Sequence, residues 1–85
     1  VIRILLAEDQ GMVREALAAL LGLEDDIDVV AQVSRGDQVV AAATAHDVQV
    51  AVLDIEMPGL TGIEAAALLH RERPATRIVM VTTFG

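Results

Sequence analysis

Along the chain the apolar positions switch between two periods. Ile2 to Ala7 is an apolar stretch broken by Arg3 and short enough for a strand. From Met12 to Leu21 the pairs Met12/Val13, Ala16/Leu17 and Leu20/Leu21 recur every fourth residue, which predicts a helix and its apolar face. Gly22 stands where glycine closes a helix, and Glu24-Asp25-Asp26 reads as an acidic turn. Ile27, Val29, Ala31 and Val33 then alternate with Asp28, Val30 and Gln32, the pattern of a strand near a sheet edge.

Ser34-Arg35-Gly36-Asp37 reads as a loop leading into a second helix, Gln38 to about Ala45. Val48 to Leu53, interrupted only by Gln49, predicts a strand ending at Asp54, and Met57-Pro58-Gly59 is a turn. Thr61 and Glu64 have the capping-box spacing, in which each side chain takes a backbone amide of the other at a helix start. That helix runs to about Arg73, before Pro74, and Arg77 to Val81 is a further β-branched strand. The order β-α-β-α-β-α-β predicts an α/β fold, a doubly wound parallel sheet covered on both faces.

Composition narrows this picture. The 85 residues allow one domain at most, and 54% hydrophobic content supports a core. With Phe84 the only aromatic, that core is aliphatic. No apolar run approaches the ~20 residues of a membrane span, and no signal-peptide pattern opens the chain. The absence of Cys excludes disulfides and thiolate zinc sites and suits a cytoplasmic protein. A formal net charge of −7, with every basic residue an Arg, argues against nucleic-acid binding by this surface itself. A start at Val1 rather than Met suggests a trimmed fragment.

Ligands of open parallel sheets bind at the carboxyl ends of the strands. The first strand ends in Glu8-Asp9, the third in Asp54 and the fourth in Thr82-Thr83. Carboxylates gathered in one crevice repel one another, and a divalent cation relieves the repulsion. Oxygen-only ligands with room for water suit Mg²⁺. A carboxylate beside such an ion can attack phosphorus, and Thr82 can offer a hydroxyl to the new phosphoryl oxygens. Taken singly, each element has an ordinary structural explanation. Glu8-Asp9 would be a solvated strand end, Thr82 a β-former and Met57-Pro58-Gly59 a turn. Asp54 is harder to dismiss, because a bare carboxylate at the end of a buried strand is costly. The combination is far more specific than its members.

These residues also carry a resemblance. Glu8-Asp9 after an apolar strand, Asp54-Ile55-Glu56-Met57-Pro58-Gly59, Thr61-Gly62-Ile63-Glu64 and Val81-Thr82-Thr83 resemble response-regulator receiver domains of two-component signalling. Ala7-Glu8-Asp9-Gln10, Leu21 to Asp26 and Asp54 to Gly59 are similar to the subfamily with a LuxR-type helix-turn-helix effector, and within it to regulators of membrane-lipid desaturation. The resemblance spans the whole chain and implies a flavodoxin-like receiver fold. It implies that Asp54 accepts a phosphoryl group from a sensor histidine kinase. It further implies that Asp9 ligates Mg²⁺ directly, that Glu8 reaches it through water and that the backbone carbonyl of Glu56 is another ligand. Thr82 would hydrogen-bond the phosphoryl group and start a conformational switch. Glu56 and Phe84 would flank the path of attacking water, with Phe84 as a shield. The domain would regulate rather than act as an enzyme, beyond its own phosphotransfer and slow dephosphorylation, and would reach DNA only through an effector absent from these residues.

Two departures qualify the match. Val48-Gln49 stands where such domains often have Pro-Asp. The family's last helix-strand-helix, with its phosphate-binding lysine and aromatic switch residue, has no counterpart in residues 1–85. The receiver is therefore expected to be incomplete at its C-terminal end. An exposed fourth strand would then favour a homodimer.

Other features carry less. His46 and His70 have no second ligand at metal spacing, and Met12, Met57 and Met80 suit packing. The acidic run Glu24 to Asp28 lacks the pattern of a calcium loop. No glycine-rich phosphate loop follows the first strand. Two competing readings stand beside the receiver. An aspartyl-phosphate phosphatase of haloacid-dehalogenase type would want a second Asp two residues after the nucleophile, where this chain has Glu56, and its nucleophile usually lies on the first strand. A pseudo-receiver would serve only as an interaction module.

Overall fold

The structure is a computed structural model, and it describes residues 1–82. Strand β1 (Ile2–Ala7) is followed by helix α1 (Gly11–Leu21) and strand β2 (Ile27–Val33). A single 3₁₀ turn (Gly36–Gln38) leads into α2 (Val39–Ala45), then β3 (Val50–Asp54), α3 (Gly62–Glu72) and β4 (Arg77–Val81). The sheet order is β2-β1-β3-β4 and every pairing is parallel. This is the doubly wound arrangement expected from the alternation of strands and helices, in the flavodoxin-like form that the resemblance implied.

The chain runs outward from β1 to β2, then crosses back over β1 to β3. Right-handed crossovers therefore put α1 on one face and α2 with α3 on the other. Side-chain alternation in β1 and β3 supplies both faces. Leu5, Ala7, Ala51 and Leu53 point into a core shared with Val39 and Ala43 of α2 and Ala65 and Leu69 of α3. Ile4 and Leu6, also buried, point the opposite way, toward α1. Burial of Ile4 through Ala7 is what a central strand covered on both sides requires.

Three elements differ from expectation. The inward face of α1 is rotated by one residue. Val13, Leu17, Ala18 and Leu21 are half-buried, whereas Met12 and Leu20 are 86% and 62% exposed. Arg14 takes a place on the inner flank because its guanidinium donates to the Glu8 carbonyl at 2.7 Å. In β2 the register jumps from Ile4↔Val29 to Leu5↔Ala31, so Val30 is an extra residue, a β-bulge. Val29 thus lies beside Ile4, which faces α1, while Ala31 and Val33 join Leu5 and Ala7 on the α2–α3 side. The regular alternation in the sequence is split between two faces. Finally, β3 begins at Val50 rather than Val48. Val48 is buried in the approach to the strand, and Gln49 bonds Arg3 twice, its side chain accepting from the Arg3 amide and its own amide donating to the Arg3 carbonyl, each at 2.9 Å.

The start of α3 needs no correction. Thr61 caps it, its hydroxyl accepting from the Glu64 amide at 3.2 Å while the Glu64 carboxylate accepts from the Thr61 amide at 3.0 Å. No helix among the described residues is long and apolar enough to cross a membrane.

Candidate functional site

Because the winding direction reverses between β1 and β3, a crevice opens at their carboxyl ends, the usual ligand position in such sheets. The β1–β3 register ends with Ala7↔Leu53, so the next residues of the two strands, Glu8 and Asp54, come side by side. Both are buried, with 0% and 2% of their surface exposed, while Asp9 is exposed at the rim. Carboxylate oxygens of Glu8, Asp9 and Asp54 lie within 4.8 Å of one another. The strand ends named from the sequence as acidic do converge.

The backbone around them is tied down from several sides. The Glu8 amide donates to the Val33 carbonyl at 3.0 Å, fixing the end of β1 against β2. Its carbonyl accepts from Arg14, and its carboxylate accepts from the Gln10 amide at 3.4 Å, so the turn into α1 folds around Glu8. Asp54 pairs in register with Val81, which places Thr82 just beyond the partner of the buried aspartate, exposed at the end of β4. Glu56 is exposed two residues past Asp54. Thr83 and Phe84 lie outside the described residues.

A donor set of three carboxylates is all hard oxygen, a chemistry that fits Mg²⁺ better than a soft-ligand metal. The His residues take no part, in keeping with their spacing in the sequence; among the described residues the metal-competent cluster is these acids.

Sequence reasoning missed several supporting residues. Arg14 holds the Glu8 carbonyl. Gly62 meets the Asp54 backbone so closely that a Cβ would overlap the Asp54 carbonyl oxygen. Gly36 does the same against the Leu60 carbonyl. A glycine directly after a helix-capping threonine was the available signal for Gly62. Nothing local marked the others.

At the amino edge of the sheet lies an open cavity lined by Ile2, Asp47, Gln49, Arg73 and Arg77, among others. It is remote from the acidic crevice. Asp47, in a left-handed conformation (φ 47°), accepts there from Arg73 at 2.8 Å and from Arg3 at 3.3 Å. The Arg73 hydrogen bond, aided by the charges of both arginines, holds the Asp47 carboxyl below the usual range. This network joins the loop after α2, β1 and the turn before β4 and is structural.

Fold and crevice together define a parallel-sheet α/β domain with an acidic site at its topological reversal. The chain belongs to the response regulator receiver domain family, whose model matches residues 4–85. It is 43% identical over 84 residues to the transcriptional regulatory protein DesR of Bacillus subtilis, a match covering 99% of this chain and 41% of that protein. The receiver domain of Thermotoga maritima CheB superposes with a TM-score of 0.91 at 36% identity, covering 96% of this chain and 60% of that one. A LuxR-family DNA-binding response regulator of Staphylococcus aureus gives 0.87 at 34% identity, covering 99% and 70%. The chain is thus a receiver domain of two-component response regulators, homologous to LuxR-family regulators, and by family a regulatory domain rather than an enzyme. It spans less than half the length of the curated regulators that it matches, 38% and 41% of two of them.

Proposed function

We propose that Asp54 is the phospho-acceptor and that this chain is the receiver part of a cytoplasmic transcription regulator switched by a sensor histidine kinase. The observation that carries the reading is the buried Asp54 carboxylate within 4.8 Å of Glu8 and Asp9 oxygens at the reversal of the sheet. In the transfer, an Asp54 carboxylate oxygen forms a bond to phosphorus as the phosphorus–nitrogen bond of the phosphohistidine breaks and its electron pair leaves with the imidazole. Asp9, Asp54 and the backbone carbonyl of Glu56 would hold Mg²⁺, with Glu8 acting through water. When bound, the ion supplies charge neutralisation at the phosphoryl oxygens. The Thr82 hydroxyl, at the end of β4, would donate to a phosphoryl oxygen and so draw that strand end toward Asp54. Control of DNA, exerted by an effector outside residues 1–85, belongs to the same reading and rests on the similarity to longer transcriptional regulators. A homodimer of the full protein belongs to the same reading and rests on the same similarity.

Incubation of the full protein with a small acyl phosphate and Mg²⁺, followed by intact mass measurement, tests the acceptor. One phosphate adduct is expected in the wild type and none in Asp54→Asn. An adduct of unchanged yield in that variant overturns the assignment. Rapid turnover of phosphate esters would mark a phosphatase instead, and no reaction a scaffold.

A further inference from the structure

The segment that leaves Asp54 is held at both ends. At the near end the Ile55 amide donates to the Val81 carbonyl at 3.2 Å, and the Ile55 carbonyl accepts from the Gly62 amide at 2.6 Å. At the far end the Pro58 carbonyl accepts from the Gly36 amide at 3.0 Å. Met57, between them, is buried in the core. Glu56 therefore lies in a short span whose two ends are fixed by different parts of the molecule. The near end belongs to the sheet and α3. The far end depends on the loop between β2 and α2, which lies against it.

That loop is seated on glycines. Gly36 packs on Leu60 with no room for a side chain. Gly59, at φ +82°, leaves space that the Arg35 and Asp37 side chains occupy: a Cβ there would stand 2.6 Å from Asp37 Oδ1 and 2.9 Å from Arg35 Nη2. Over this glycine Arg35 donates through Nε to Asp37 Oδ1 at 3.0 Å and through Nη2 to Oδ2 at 3.1 Å. The two-pronged geometry fixes the pair rigidly. Hydrogen bonding to Arg35 holds the Asp37 carboxyl below its usual range, and the same bond raises Arg35. Both side chains are 47% exposed, so the pair adds little to global stability. Its consequence is local, at the loop beneath it.

We infer that the Arg35–Asp37 pair is a positioning clamp that holds the Glu56 span in the conformation that receives a divalent cation. The inference rests on the metal reading under Proposed function. Neither residue touches the ion; both act through Gly59 and the Pro58 carbonyl.

Magnesium alone, titrated into the full protein, tests the clamp in the wild type, Arg35→Gln, Asp37→Asn and the double variant, with thermal melting alongside. Each single substitution is expected to weaken Mg²⁺ binding by about three- to tenfold, in the lower part of the range of coupling between contacting groups. The double variant should be no weaker than either single one, because one loss already opens the pair. Melting temperatures should stay close to wild type. Remote charge alone predicts otherwise: loss of Asp37 would weaken binding while loss of Arg35 would tighten it. Tighter binding in Arg35→Gln, additive losses in the double variant, or wild-type affinity in both single variants overturns the clamp. Absence of Mg²⁺ binding in the wild type overturns the metal reading itself, and the clamp's role with it.

Discussion

Gly62 opens α3 with its α-carbon against the backbone carbonyl of Asp54, too close for any Cβ between them. The contact sets the position of the proposed phospho-acceptor as firmly as the strand does, because α3 cannot dock without bringing its first turn onto the end of β3. The Gly62 amide reinforces it by donating to the Ile55 carbonyl at 2.6 Å.

Gly62→Ala should therefore destabilise the domain. Overpacking of this kind costs roughly 1–3 kcal/mol, and here the obstructing atom is backbone, which yields poorly. Denaturant unfolding of the full protein reads the loss. A variant as stable as the wild type would show that α3 can retreat from β3 freely.

Asp9→Asn should abolish Mg²⁺ binding while leaving the fold intact, since Asp9 is exposed and only its charge changes. Isothermal titration with Mg²⁺ and circular dichroism on the same sample separate the two effects. Retained affinity would remove Asp9 from the site.

Thr61→Ala should cost about 1 kcal/mol, the usual loss for a helix N-cap. It leaves the Glu64 amide without the hydroxyl that now accepts from it at 3.2 Å. Thermal unfolding measures the change. Glu64→Ala should cost less, because the Thr61 amide it releases can turn to water.

The Asp47 network predicts an acid limb to stability. Hydrogen bonding from Arg73 lowers the Asp47 carboxyl below its ordinary 3.8 in the folded chain. A group with a depressed folded value contributes stability above its unfolded value and loses it as pH falls through the folded one. The melting temperature of Asp47→Asn should therefore fall short of wild type at neutral pH and converge with it as pH drops below about 4. A gap that persists in acid would assign the effect to packing or to the left-handed backbone at this position.

The sequence by itself determined the order of elements and the chemistry at the strand ends. Alternation of short β-branched runs with four-residue periodicity leaves a parallel sheet as the natural outcome, and such a sheet gathers its carboxyl ends on one edge. Glu8, Asp9 and Asp54 were legible for that reason, as were Thr61 and Glu64, whose bonds depend only on local spacing. What the tertiary structure alone decided is phase and proximity. Periodicity reports how often a side chain turns inward, not which flank of α1 meets the sheet, so Met12 and Leu20 stay exposed while Arg14 turns in to the Glu8 carbonyl. One inserted residue at Val30 sends an unbroken alternation to two faces. The contacts of Gly36 with Leu60 and of Gly59 with Arg35 and Asp37 join segments distant in the chain. Nothing local marks them, because such close approaches exist only after two loops have been brought together by the packing of the helices beneath them.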